Sequence, residues 1–167
     1  MIIWIASYPK SGNTWVRSFL SHYLFSKNKD FDFSLLKKIP TFPDDHMLNF
    51  LRKKYNGKFK ITDLASHWDL FQNKIGENKN ILLKTHNALV TIKNHSFTSL
   101  KHTIGLIYLI RDPRDVVISY AKHTNNDFNK TFENMKIDAV EKTEDNLDKT
   151  FLSSWSNHFY SWKAIPL

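Results

Sequence analysis

Apolar residues fall along this chain in two rhythms. Short unbroken runs at Ile2-Ile3-Trp4-Ile5-Ala6, Ile81-Leu82-Leu83 and Ile104 to Ile110 read as buried strands. The last is the most continuous of them and predicts a central strand. Elsewhere apolar residues recur at helical spacing. Val16, Phe19, Leu20, Tyr23 and Leu24 predict an amphipathic helix after the first strand. Met47, Leu48, Leu51 and Tyr55 predict a second, capped by Asp44 or Asp45 and stopped near Gly57. Leu64, Trp68, Phe71 and Ile75 predict a third, capped by Thr62 or Asp63 with Gly76 after it. Phe151, Leu152, Trp155, Phe159 and Trp162 share a helical spacing that reads as core packing. The polar stretch from Leu89 to His102 predicts a loop or short helix, and the acidic stretch from Asn125 to Asp148 a partly helical, mobile segment. Strands alternating with helices predict an α/β fold with a mainly parallel sheet. No repeat or low-complexity linker divides the chain, so residues 1–167 read as one domain.

Two of the predicted strand–helix junctions carry anion chemistry. Tyr8-Pro9-Lys10-Ser11-Gly12-Asn13-Thr14-Trp15 joins the first strand to the first helix. A helix start offers free N–H groups and the positive end of its dipole. Lys10 adds a charge, and Ser11 and Thr14 add hydroxyls. The lysine precedes the only glycine here, unlike the ATP-loop pattern G-x-x-x-x-G-K-[ST]. A junction that merely contains Lys, Ser and Gly is the plain alternative. The second junction is Arg111-Asp112-Pro113-Arg114-Asp115, followed by Val116-Val117-Ile118-Ser119-Tyr120. Asp112 suits an N-cap and Pro113 the first helical position. Arg111 offers a planar fork of donors for a phosphate, and Ser119 lies about two turns on. Arg114 and Asp115 read as surface charges.

Y-P-K-S-G-x-T-W with R-D-P-R-D-x-x-x-S-Y resembles the sulfotransferases that use 3′-phosphoadenosine 5′-phosphosulfate (PAPS). The resemblance implies a P-loop-type three-layer fold, with a mainly parallel central sheet flanked by helices. It implies that Lys10, Ser11, Gly12, Asn13, Thr14 and Trp15 hold the 5′-phosphosulfate, with Trp15 stacked on the adenine. Arg111 and Ser119 would hold the 3′-phosphate. Asn13 stands where many members have threonine, but its backbone N–H can still serve. Lys84-Thr85-His86 is similar to the family's K-T-H segment, whose histidine is the general base. Residues two apart on a strand share a face, so Lys84 and His86 can address one centre. His22, His46, His67, His95, His102, His123 and His158 are read as incidental. Ser154 to Trp162 resembles the family's W-x-x-H-x-x-x-W helix.

The catalytic residues implied are therefore His86, Lys10 and Lys84, with PAPS as co-substrate and no metal. The reaction implied is sulfuryl transfer to a hydroxyl or amine of a small-molecule or glycan acceptor. The loops from Asp30 to Lys60 and from Asn125 to Asp148 are the expected acceptor side. Phe31, Phe33, Phe42 and Phe59 either line it or pack the core. Family members continue past a segment like Trp162 to Leu167 into another strand, more helices and a glycine-rich motif over the 3′-phosphate. A C-terminally incomplete domain with exposed sheet and a half-open site is thus expected. The alternative is a non-catalytic nucleotide-binding remnant, with a different phosphotransferase or a nucleic-acid binder further behind.

Bulk properties narrow this little. The chain has 24 Lys and Arg against 16 Asp and Glu, a formal charge of +8, which suits an anionic ligand. Its lysines are scattered among Asn, Asp and Phe, and no basic stripe points to nucleic acid. Without cysteine there is neither a disulfide framework nor a thiolate metal site. No signal-peptide pattern or membrane-length apolar run is present, and a cytoplasmic location is expected.

Overall fold

The computed structural model describes residues 1–27, 30–77 and 79–165; Pro166 and Leu167 of the terminal segment lie outside them. The chain begins with β1 (Ile2–Ser7) and α1 (Asn13–Phe25), followed by a 3₁₀ turn at Phe33–Lys38. Three helices come next: α2 (Asp45–Lys54), α3 (Ile61–Ala65) and α4 (Trp68–Gly76). Then come β2 (Ile81–Thr85), a hairpin of β3 (Thr91–Ile92) and β4 (His95–Ser96), and β5 (Thr103–Leu109). The order closes with α5 (Pro113–Thr124), α6 (Phe128–Lys136), β6 (Val140–Lys142), β7 (Asp148–Phe151) and α7 (Trp155–Lys163).

The central sheet is parallel, in the order β2-β1-β5, with helices flanking it. Ile2, Trp4 and Ala6 of β1 point into the main core with Phe42, Leu48, Leu64, Trp68, Phe97 and Trp162. Burial of an apolar side chain of this size stabilises by roughly 1.5–3 kcal/mol. A buried polar chain crosses the same core. Trp4 Nε1–H donates to Thr103 Oγ1 (2.9 Å), Thr103 pairs with Thr98 Oγ1 (2.9 Å), and Thr98 donates to Gln72 Oε1 (2.6 Å). The outer edge of β2 is covered: Phe42 N–H donates to Lys84 O (2.8 Å) and Lys84 N–H to Pro40 O (2.9 Å).

Local signals set most helix starts. Asp44 caps α2 by accepting from Met47 N, and Gly57 turns back at φ 75° with its N–H on Arg52 O. Asp112 caps α5 with Pro113 as its first residue. Tertiary packing decided the rest. The helix expected from Thr62 or Asp63 to Ile75 is two helices, α3 and α4, broken at Ser66-His67. Asp63 lies inside α3 and reaches back to Lys60 N–H (2.8 Å). The stretch after Leu89 is an antiparallel hairpin, turned by Lys93 (φ 46°) and Asn94 (φ 67°). The 125–148 stretch is α6 and half of a β-hairpin, with Asp148 Oδ2 accepting from Ile61 N–H (2.6 Å).

Two expectations are corrected. β1, not β5, is the central strand, and β5 lies at the sheet edge with Ile104 and Ile107 exposed. The apolar stripe of α1 does not face the core: Phe19 is 68% and Tyr23 75% exposed, with their rings stacked 6.1 Å apart. Together with Trp15, Phe31 and Phe33 they line a separate apolar groove, whereas Phe42 and Phe59 are core residues. No described helix is long and apolar enough to cross a membrane.

Candidate functional site

Three parallel strands end side by side, and their carboxyl ends open into one cavity of about 440 Å³. Open parallel sheets bind ligands in this position, because helix N-termini and strand-end loops converge there. Lys10, Gly12, Asn13, Thr14, Trp15, Lys84, His86, Arg111 and Ser119 all line it. Pro9, Tyr120, His123 and Glu141 complete the lining.

The first wall is the β1–α1 junction. Lys10 takes a left-handed φ of 66° and Gly12 one of 95°, which folds the chain tightly over the start of α1. Gly12 is the N-cap and supplies no side-chain cap, and the first turn has no acid. The first N–H groups of a helix lack intrahelical partners, so here they are left for a ligand. Ser11 is not among the lining residues; its buried Oγ has no hydrogen-bond partner. Asn13 lines the cavity, but its side-chain amide is tied to the strand behind it. Its Nδ2 donates to Ile5 O (3.2 Å) and Ser7 Oγ (3.1 Å), so its side chain ties the loop to β1. Trp15 projects at the rim, 83% exposed.

The second wall is the end of β5. Arg111 Nη1 donates to Lys10 O (3.1 Å), so the guanidinium bridges the two anion motifs even before any ligand is considered. Its Nε lies 3.7 Å from Asp115 Oδ2. Arg114 turns away to pair with Asp112 at 2.6 Å. Ser119 faces the cavity from α5.

The third wall follows β2. His86 is the first residue past the strand, and its Nδ1 lies 2.7 Å from Ser7 O. A carbonyl only accepts, so Nδ1 carries the proton and Nε2 is left as the free acceptor. Burial, and next the charge of Lys84, hold the His86 pKa well below the ordinary histidine value. The ring is thus neutral at pH 7, and its lone pair is on the side of the ring away from Ser7. Lys84 is pulled down to about 8 by burial, against the opposing pull of Glu141. Tyr120, pushed up to about 12 by burial and then by Glu141, keeps its proton.

The backbone at His86 is held from several sides. Asn87 Oδ1 accepts from Phe151 N–H (2.9 Å), and Asn87 O accepts from Trp162 Nε1–H (2.9 Å). His158 Nε2 lies 3.0 Å from His86 O. Sequence reasoning set aside His123 and His158, yet one lines the cavity and the other supports it. Glu141 was missed because a single acid in a polar stretch carries no motif. Among the described residues no group of three or more His, Asp or Glu is placed to hold a metal ion.

Fold and site together define an α/β protein with a cationic cavity at the carboxyl ends of its parallel strands, where a neutral histidine sits among lysine and arginine. The family model described as Sulfotransferase domain matches residues 2–165. The chain therefore belongs to the sulfotransferase domain family, whose members are transferases of the sulfuryl group. A search of curated proteins gave no match.

Proposed function

We propose that this chain transfers a sulfuryl group from PAPS to the hydroxyl or amine of a small acceptor. The observation that supports it best is the convergence of Lys10, His86 and Arg111 on one cavity from the ends of three parallel strands. The residues present suit the donor. The uncapped α1 start offers N–H donors for the 5′-phosphosulfate, with the Lys10 charge beside it. Arg111 and Ser119 face the same space for the 3′-phosphate, and Trp15 stands at the rim to stack on adenine.

In this reading the acceptor oxygen or nitrogen attacks sulfur as the bond from sulfur to the bridging phosphate oxygen breaks. The acceptor proton passes to His86 Nε2. The electron pair leaves with adenosine 3′,5′-bisphosphate, where Lys10 meets the developing charge. A positioned base contributes about 10²- to 10⁴-fold, and one donor at a developing oxyanion about 3–4 kcal/mol. Lys84 neutralises the sulfuryl oxygens. The scheme runs on side chains of this chain and calls on no metal.

The test is calorimetric titration of the 167-residue chain with adenosine 3′,5′-bisphosphate, and with AMP as control. Transfer from radiolabelled PAPS to a panel of hydroxyl and amine acceptors follows. Clear preference for the bisphosphate together with labelled product supports the reading. Preference without product across the panel leaves a nucleotide-binding domain, and no preference removes the 3′-phosphate site.

A further inference from the structure

The backbone at His86 is held by a chain of hydrogen bonds that runs to Tyr108 through His158, the histidine of the helix that resembles W-x-x-H-x-x-x-W. His86 lies just past the end of β2, so its carbonyl has no partner in the sheet ladder. A buried carbonyl without a partner is costly, and something must satisfy it. That something is His158, on the fourth residue of α7, a side chain with no solvent exposure. Its Nε2 is 3.0 Å from His86 O, and its Nδ1 is 2.8 Å from Tyr108 Oη.

Only one proton arrangement satisfies all three groups. His86 O can only accept, so His158 Nε2 carries the hydrogen. Nδ1 of the neutral ring is then the acceptor, and Tyr108 must donate to it. Burial keeps both groups in this state: it pulls His158 down to about 4 and pushes Tyr108 above its ordinary value. Aromatic packing fixes the ring as well, with Tyr8 edge-on at 5.6 Å and Tyr108 tilted at 5.7 Å.

The chain is continuous across the sheet. Tyr108 is on β5, one residue from its end and three before Arg111. His158 is on α7, His86 follows β2, and Ser7 O, which receives the His86 Nδ1–H, ends β1. The backbone position at His86 decides whether its ring reaches Ser7 O. That contact in turn decides which ring nitrogen carries the proton. We propose that His158, oriented by Tyr108, is a positioning residue that fixes the main chain at His86 and thereby holds the His86 ring with Nδ1 protonated and Nε2 free. The proposal rests on the reading of His86 as base only for its consequence in turnover, and the ring state can be read by itself.

The test is long-range ¹H–¹⁵N NMR of the histidine rings in the full chain, alongside transfer kinetics. The wild-type protein should show His86 protonated on Nδ1 alone and His158 on Nε2 alone. His158→Phe keeps a planar aromatic ring at the site and removes both bonds. It should give an averaged tautomer signal at His86, and a fall in kcat of at least about tenfold at similar donor KM, since misplacement by an ångström is that costly. His158→Gln retains an N–H directed at His86 O and should recover most of both readouts, which a purely packing role would not produce. Tyr108→Phe, which spares the fold most, leaves His158 Nε2–H on His86 O but frees Nδ1, so it should loosen the ring and partly average the His86 tautomer. A folded His158→Phe protein whose His86 stays solely Nδ1-protonated overturns the proposal, with or without turnover. If His158→Phe does not fold, a His86 signal that stays solely Nδ1-protonated in Tyr108→Phe does the same. A wild-type chain that transfers no sulfuryl group removes the assigned reaction while leaving the ring readout to decide this point.

Discussion

Arg111→Ala separates two roles that the structure gives one side chain. The guanidinium faces the cavity, where the proposed 3′-phosphate sits, and it also donates to Lys10 O at 3.1 Å. A charge-assisted hydrogen bond contributes about 1.5–3 kcal/mol. The Arg111 side chain is 41% exposed, so solvent screening lowers the expected figure to about 1–2 kcal/mol. At 1.4 kcal/mol per tenfold, that is roughly a 5- to 30-fold weaker affinity. Titration calorimetry should show this loss for adenosine 3′,5′-bisphosphate. AMP lacks the 3′-phosphate and should bind the variant within about twofold of wild type. Arg111→Lys keeps a charge without the fork and should fall between. If AMP and the bisphosphate lose affinity equally, Arg111 acts by bracing the Lys10 loop, and the 3′-phosphate assignment is wrong.

Other outcomes follow from the same geometry. His86→Ala should bind the bisphosphate normally and lose about 10²- to 10⁴-fold in kcat; turnover within about threefold of wild type would remove His86 as base. The pH profile should be set by two displaced groups. His86 titrates well below 6.5, so kcat/KM should hold as pH falls through 6.5, the ordinary midpoint of a histidine base. On the alkaline side the rate should drop near pH 8 as Lys84 loses its proton, and Lys84→Arg should move that limb upward; an unmoved limb would assign it elsewhere. Thr103→Val leaves the Trp4 indole N–H without its acceptor in the core and should cost about 1–3 kcal/mol in urea unfolding. A loss under about 0.5 kcal/mol would mean that the polar chain through Thr98 and Gln72 re-forms without it.

What could be read from sequence was local chemistry. Asp44, Asp112 and Pro113 marked helix starts because capping depends on a few neighbouring residues. The two anion motifs and Lys84-Thr85-His86 fell at strand ends because short apolar runs and turn residues mark those ends. What the sequence left open depended on distant partners. The helical spacing of Phe19 and Tyr23 is real, but spacing says which residues share a face and not whether anything covers it. The apolar run of β5 reads as buried on both faces, yet the number of strands beside it is a property of the sheet. The Lys93-Asn94 turn has no glycine, so only Asn94 hinted at its left-handed backbone. His158 looked incidental because its two partners, His86 O and Tyr108 Oη, are remote in the chain.

The cavity also explains why the proposed base is a histidine. The proposed phosphosulfate calls for net positive charge, and the cavity supplies it from Lys10, Lys84 and Arg111 against Glu141. In such a field a carboxylate would be held ionised by its cationic neighbours, a weak base for an acceptor hydroxyl. A lysine base would have to give up the charge that the donor needs. An imidazole is pushed the other way. Burial disfavours protonation of His86, and the charge of Lys84, proposed to face the sulfuryl oxygens, adds to it. Cation and neutral base therefore support each other in the resting site. In the proposed reaction, His86 that has taken a proton is destabilised by the same field, which favours release of that proton and readies the ring for the next turnover. The Nδ1–H bond to Ser7 O is what keeps this arrangement single-handed, since it leaves only Nε2 to receive the proton.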